Sequence, residues 1–128
     1  MAYSNGIKEM KPQSAKAKGR KLQQYVRDKM LKLAQLHVDE IRSTSMGAGG
    51  EDVLLSPTAR ACYPVSIECK SKKAFAVYKD YAQAEANAGN WEPVLIIKQD
   101  RSKPLAVVDL DYLLHLILAD TEGLPYEA

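Results

Sequence analysis

A chain of 128 residues has the length of one domain and can bury a single compact core. Its hydrophobic fraction of 46% and charged fraction of 27% are typical of a folded globular protein and exclude an intrinsically disordered one. No apolar run approaches the roughly 18 residues of a membrane span, no N-terminal stretch resembles a secretory signal, and two cysteines are too few for a disulfide framework. We therefore expect a cytoplasmic protein with no membrane partner.

The net charge of +2 conceals an uneven distribution. Residues 1–32 carry nine basic and two acidic side chains, a net charge of +7, whereas residues 100–128 carry two basic and six acidic ones, a net charge of −4. A basic segment attracts the phosphate backbone of nucleic acids because binding releases condensed counterions. The alternative is a solvated basic surface that has no partner.

The N-terminal third is predicted to contain one long helix. Residues 1–15 have no apolar period and are predicted to be a flexible basic arm. From residue 16, apolar side chains recur at helical spacing, which predicts an amphipathic helix over roughly residues 16–40. The stripe consists of Leu22, Val26, Met30, Leu33 and His37. The Ser- and Gly-rich residues 43–50 then predict a loop.

The rest of the chain alternates between strand-like and helix-like patterns. The predicted segments are strands over residues 52–55, 65–70, 93–98 and 105–108, and helices over residues 74–88 and 110–119, the last with Asp109 as its N-cap. The order helix, strands, helix, strands, helix predicts an α/β fold in which helices flank a mixed β-sheet. Residues 16–128 are therefore expected to form one domain.

Two carboxylates and one ammonium on neighbouring predicted strands could form a catalytic site. Glu68 and Lys70 lie two residues apart on one strand, so they share a face. Asp52 begins the preceding strand, and pairing of the two strands would let Asp52 and Glu68 bind one hard cation, with the backbone carbonyl of Cys69 as a further ligand. Such a cation promotes hydrolysis of a phosphodiester, and Lys70 would position water or neutralise charge on the phosphate. The alternative is a solvated strand face with a weak ion pair.

Asp52 and the sequence Glu68-Cys69-Lys70 resemble the signature of the PD-(D/E)XK nuclease superfamily. Glu51 stands where that signature often has proline. Within the superfamily, the chain is similar to Holliday junction resolvases of archaeal and phage type over about residues 17–110. The resemblance implies a restriction-endonuclease-like fold, catalysis by Asp52, Glu68 and Lys70, and a requirement for Mg²⁺, for which Mn²⁺ would substitute.

Other segments carry the same resemblance in the same order. The matching part of the first helix begins at Gly19. Arg42-Ser43 precedes Asp52, and Gly89 precedes the predicted strand Pro93 to Lys98. Gln23 stands where the archaeal pattern has an acidic residue associated with the metal. The resemblance makes Gln23 a catalytic-site residue, but a neutral amide supplies no charge, which puts a second metal site in doubt. Alternatively, Gln23 belongs to a polar helix face.

Side chains around this site are expected to contact DNA. They comprise basic residues of the first helix, polar residues on both sides of Asp52, cations that follow Lys70 and a polar residue of the second helix. They are Lys16, Lys18, Arg20, Lys21, Arg42, Ser43, Ser45, Arg60, Lys72, Lys73 and Gln83. For each, the alternative is an ordinary role on a solvated face or in a turn.

The resemblance implies a DNA endonuclease that acts on branched or duplex DNA and makes paired nicks near a branch point. Because two strands must be cut symmetrically, a C2 homodimer is the expected assembly. Three alternatives stay open: a nicking or degradative endonuclease acting on duplex or single-stranded DNA, a non-catalytic DNA-binding protein, which Gln23 favours, and a structural or regulatory protein without a nucleic-acid role. The expected location is the cytoplasm of a prokaryotic or phage-infected cell.

Overall fold

The computed structural model describes residues 12–44 and 50–123. Their elements, in chain order, are α1 (Pro12–Ala34), a 3₁₀ turn (Val38–Glu40), β1 (Ile41–Ser43), β2 (Val53–Leu55), α2 (Pro57–Cys62), β3 (Val65–Ser71), α3 (Val77–Asn87), β4 (Glu92–Lys98), β5 (Leu105–Val107) and α4 (Leu110–Gly123). The predicted α/β class is confirmed, with an N-terminal helix, a five-stranded mixed sheet with interspersed helices, and a C-terminal helix.

The five strands follow one another across the sheet in the order of the chain. Only β3 and β4 are parallel, with Val65 paired to Glu92 and Ser71 to Lys98, and α3 provides the crossover between them. The pairs β1–β2, β2–β3 and β4–β5 are antiparallel. β3 is therefore the central strand, and its carboxyl end lies beside that of β4.

The first helix begins and ends earlier than its apolar pattern predicts. It begins at Pro12, whose fixed φ suits a first helical turn, so residues 12–15 of the predicted arm are helical and residues 1–11 lie outside the described residues. It ends at Ala34 because Gln35 adopts a left-handed φ of 55°. The N–H groups of Gln35 and Leu36 donate to the carbonyls of Lys32 (3.2 Å) and Leu31 (2.9 Å), which is a Schellman cap.

Two short elements were not predicted because their signals resemble those of loops. β1 follows the 3₁₀ turn directly, where the sequence predicts the end of a helix, and Ile41 pairs with Leu55 of β2. α2 begins after Ser56, whose hydroxyl accepts from the N–H of Ala59 at 3.0 Å, with Pro57 in the first turn. A Ser-Pro pair therefore ends β2 and caps a helix at the same point.

The hydrophobic core lies between α1 and one face of the sheet, because α1 packs on β1 and β3. Its buried members are Leu22, Val26, Met30, Leu31, Ile41, Val53, Ala59, Val65, Ile67 and Cys69. Alternation along β3 turns Ser66 and Glu68 to the other face, where they are also buried and where α3 packs. β3 is thus covered on both faces.

The C-terminal helix is apolar but barely packed against the domain. Its first turn is capped by Asp109, as predicted, because the Asp109 carboxylate accepts from the N–H of Tyr112 at 3.1 Å. Tyr112 is half-buried against the core, whereas the side chains from residue 113 to residue 121 are all exposed. No helix in the described parts of the chain is long and apolar enough to cross a membrane.

Candidate active site

The end of β2 places Asp52 beside β3. Val53 pairs with Ile67, so Asp52 lies next to Glu68 one step further along. The main-chain N–H of Asp52 donates to the carbonyl of Ile67 at 3.0 Å, and its Oδ2 accepts from the N–H of Cys69 at 2.7 Å. The Asp52 carboxylate therefore accepts the N–H of Cys69, which no backbone carbonyl of β2 accepts, at the point where the pairing of β2 with β3 ends.

Glu68 and Lys70 stand on the same face of β3, as their spacing predicts. Glu68 is 4% exposed, and its Oε1 accepts from Nδ2 of Asn87 on α3 at 3.2 Å. Its Oε2 lies 3.7 Å from Nζ of Lys70, whose side chain is partly exposed. The structure thus brings Asp52, Glu68 and Lys70 together at one corner of the sheet.

The two carboxylates have raised pKa values, for related physical reasons. Burial raises the pKa of Asp52, and the Cys69 N–H and the Lys70 ammonium oppose this effect only in part. Burial likewise raises the pKa of Glu68, the negative charge of Asp52 raises it further, and Asn87 and Lys70 oppose the rise. Because each carboxylate is partly desolvated and Asp52 repels Glu68, a further positive charge at this corner would stabilise both ionised forms.

The oxygen atoms at this corner fit a hard divalent cation. The N–H of Cys69 points toward β2, where it meets Asp52, and the carbonyl of a strand residue points to the same side as its N–H. The Cys69 carbonyl is therefore directed to the side of Asp52, beyond the end of β2. Within residues 12–44 and 50–123, no three His, Cys, Asp or Glu side chains form a metal-binding cluster. The groups that could hold a cation here are the two carboxylates and the Cys69 carbonyl, and Mg²⁺ usually keeps several waters in addition to its protein ligands.

Two further glutamines were predicted near the site, and one is buried while the other is exposed. Gln23 is buried, 1% exposed, on α1, the helix that packs on β3. Gln83 is exposed on α3, and the α3 side chain that reaches Glu68 is Asn87. No signal in the sequence indicated Asn87, because its contact with Glu68 depends on how α3 packs on β3.

Two of the predicted DNA contacts bind poorly solvated carboxylates of the protein itself. The Arg60 guanidinium binds both oxygens of Glu51 (2.8 and 2.9 Å) and the carbonyl of Val65 (2.7 Å), and lies over the ring of Trp91. The ammonium of Lys72 binds the buried carboxylate of Asp80 at 3.0 and 3.1 Å. Each of these cations neutralises a poorly solvated carboxylate, so its first role is structural.

The other predicted DNA contacts lie at the surface or outside the described residues. Lys18 forms an ion pair with Asp100 at 2.5 Å, Ser43 is half-buried in β1, and Ser45 lies outside the described residues. The remaining side chains are exposed cations: Lys16, Arg20, Lys21, Arg42 and Lys73.

Comparison with known proteins adds no relative: no family model matches the chain, and no curated protein and no solved structure is significantly similar to it.

Proposed function

We propose that the protein is a metal-dependent, structure-specific DNA endonuclease of the PD-(D/E)XK superfamily, with a restriction-endonuclease-like fold, and that it resolves Holliday junctions. The observation that supports this most strongly is the convergence of Asp52, Glu68 and Lys70 from two strands. Two carboxylates that can hold a metal ion, with an ammonium beside them, are groups that metal-assisted hydrolysis of a phosphodiester uses.

Asp52, Glu68 and the Cys69 carbonyl are the groups that would hold Mg²⁺ or Mn²⁺. The bound cation would polarise the phosphodiester and increase the acidity of the attacking water. Asn87 keeps one oxygen of Glu68 in place, and the Cys69 N–H fixes one oxygen of Asp52, so both carboxylates are oriented before any ligand arrives. This arrangement limits the reorganisation that binding requires.

Lys70 supplies the positive charge of the site. Its Nζ lies near Glu68 while its side chain stays a quarter exposed, so it reaches both the carboxylates and the solvent from which DNA approaches. In this position, it would orient the attacking water or offset the negative charge that grows on the phosphate. Because the ammonium acts in the reaction rather than in holding DNA, its removal should affect cleavage more than binding.

The homodimer that symmetric cutting requires would form through α4. Four of its leucine and isoleucine side chains, Leu113, Leu114, Ile117 and Leu118, are between 41% and 54% exposed. The chain has no lysine or arginine after Lys103, so this surface attracts neither DNA nor an anionic membrane. A second copy, presenting the same apolar helix about a two-fold axis, would cover it.

The test is cleavage of a labelled four-way junction with and without Mg²⁺ or Mn²⁺, beside a linear duplex and a single strand of the same sequence. Paired nicks near the branch point that require metal and exceed cutting of the duplex would support a resolvase. Equal cutting of all three DNAs would indicate a nicking or degradative endonuclease. Intact DNA in every lane would contradict the nuclease proposal.

Three variants test the residues. Asp52→Asn, Glu68→Gln and Lys70→Ala should each abolish cutting yet retain junction binding, because each preserves the fold and removes one charge of the site. Matched controls are Asp39→Asn and Lys79→Ala, which alter exposed groups outside the site. Cutting that survives in all three site variants would assign the activity, if any, to another site or to a contaminant.

A further inference from the structure

A cavity of about 830 Å³ opens where β3 and β4 end, between α1 and the loop that joins β4 to β5. We call it the strand-end cavity. Its lining includes Lys18, Lys21 and Tyr25 of α1, Ser71 of β3, Lys98 of β4 and Arg101 of the loop. It combines cations, an aromatic ring and the apolar side chain of Leu22. Cations attract phosphate, and an aromatic ring offers a flat surface on which a base can stack.

The strand-end cavity and the candidate active site lie near the same end of β3 but on opposite faces of the sheet. Ser71 directly follows Lys70 on β3 and pairs with Lys98 of β4. Because side chains alternate along a strand, Lys70 shares the α3 face with Glu68, whereas Ser71 and Lys98 lie on the α1 face, where the cavity opens. DNA bound at the active site would therefore reach the cavity around the carboxyl ends of β3 and β4.

The loop of the cavity holds Arg101 in a conformation that favours glycine. The N–H of Ser102 donates to the carbonyl of Gln99 at 3.1 Å, which closes a tight turn with Arg101 at its third position. Arg101 has a left-handed φ of 60°, whereas this position in a type II turn usually takes glycine or asparagine. Gln35, which also has a positive φ, ends a helix in a Schellman cap, but Arg101 caps no helix. Arg101 therefore holds this conformation at a cost, and it lines the cavity.

The cavity retains positive charge. Its lining has four basic side chains against Asp28 and Asp100, a net charge of +2. Asp28 accepts from Arg27 at 2.8 Å, and Asp100 accepts from Lys18 at 2.5 Å. Both carboxylates are therefore already neutralised, which leaves Lys21, Lys98 and Arg101 as the cations nearest to any anion that enters.

Tyr25 provides an aromatic surface in the same cavity. It is 49% exposed on α1, one turn after Lys21. The ammonium of Lys29 lies 5.7 Å from the centre of its ring, which holds the ring against α1. An exposed tyrosine beside phosphate-binding cations can stack on any base, so it recognises a nucleotide without regard to sequence.

We propose that the strand-end cavity binds one unpaired nucleotide of the DNA substrate, with its phosphate on Lys21, Lys98 and Arg101 and its base on Tyr25. The identity of the ligand as DNA rests on the proposed function. A base pair at an open branch point has a stacking neighbour on one side only, so its nucleotides unpair more readily there than within a continuous duplex, and this cavity would contribute to the preference for branched DNA.

Binding of a fluorescently labelled four-way junction in EDTA, where no cleavage occurs, tests the proposal. Arg101→Gly should weaken binding about tenfold and lower the slope of log K against log salt by about one, because one phosphate contact is lost. Its melting temperature should be unchanged or higher, since glycine removes the left-handed strain. Tyr25→Ala should weaken binding about tenfold and Tyr25→Phe should not, because only the first removes the ring.

The matched control is Lys103→Ala, which removes an exposed cation from the same loop but not from the described lining of the cavity. It should change binding less than Arg101→Gly. Arg101→Gly and Tyr25→Ala proteins that bind the junction as tightly as the wild type would overturn the proposal. Because binding in EDTA is independent of cutting, weakened binding by a protein that never cleaves would uphold the cavity and contradict the nuclease. If the wild type cleaves DNA but the cavity variants bind the junction normally, the nuclease proposal stands and the cavity proposal is contradicted.

Discussion

At the scale of single residues, the two carboxylates of the site oppose folding when both are ionised. Burial and the charge of Asp52 raise the pKa of Glu68, so the folded state holds the Glu68 proton more tightly than the unfolded state does. The folded protein is therefore stabilised as pH falls through the raised pKa and loses that stability as pH rises through it. A site that is costly without a ligand is typical of function rather than of packing.

Glu68→Gln should make the metal-free protein more stable at neutral pH, because the amide keeps the Oε1 acceptor for Asn87 and removes the buried charge. The advantage over wild type should shrink as pH falls through the raised pKa. Urea unfolding in EDTA across pH measures it. A variant that is less stable than wild type at every pH would show that the ionised carboxylate stabilises the fold.

Addition of Mg²⁺ should make the wild type more stable than Glu68→Gln, the opposite of their order in EDTA. Wild-type protein is expected to melt at a higher temperature as Mg²⁺ is added, because a ligand that binds only the folded state stabilises it by mass action. Glu68→Gln should lose most of that increase, while the control Asp39→Asn should retain it. Equal shifts for all three proteins in a thermal melt would place the ion elsewhere.

At the scale of elements, Arg60 attaches α2 to the sheet and supports the segment that precedes Asp52. Its guanidinium and the Glu51 carboxylate are only 13% and 14% exposed, and Glu51 adjoins Asp52. Arg60→Ala should lower the free energy of unfolding by about 2–3 kcal/mol, because Glu51 would stay desolvated without its partner. Chemical denaturation measures the loss. The exposed Arg42→Ala should change it by no more than about 0.5 kcal/mol.

The end of α1 offers a stabilising substitution. Gln35 is exposed and holds a left-handed φ of 55°. Gln35→Gly should raise the free energy of unfolding by about 1 kcal/mol, because glycine adopts this conformation without a steric penalty from Cβ. Gln35→Ala retains the Cβ and should bring no comparable gain. If the two variants prove equally stable in urea, the cap does not limit stability.

At the scale of the whole molecule, the exposed α4 predicts self-association. Leu114→Glu together with Ile117→Glu should convert a dimer to a monomer in sedimentation velocity, because two charges would be buried at an apolar interface. Tyr78→Glu, which alters a side chain 92% exposed on α3, should leave the dimer intact. A monomeric wild-type protein at micromolar concentration would contradict the assembly, and paired nicking would then need another explanation.

Periodicity predicted α1, α3, α4 and the strands β3 and β4, because long elements repeat their apolar spacing often enough to be recognised. Short apolar runs bounded by turn residues also predicted β2 and β5. The sequence pattern missed β1 and α2 and misplaced the end of α1. These short elements depend on a cap or a neighbouring strand rather than on a repeated pattern.

The sequence by itself determined the α/β class, the shared face of Glu68 and Lys70, and the basic character of α1, because strand alternation and charge depend only on residue order. Tertiary structure alone decided that Asp52 lies beside Glu68, that Asn87 reaches their corner, that Arg60 is engaged by Glu51, and that a cationic cavity opens at the strand ends. Each of these four features depends on strand register and on the packing of segments that are distant in the chain, and the spacing of nearby residues does not encode either.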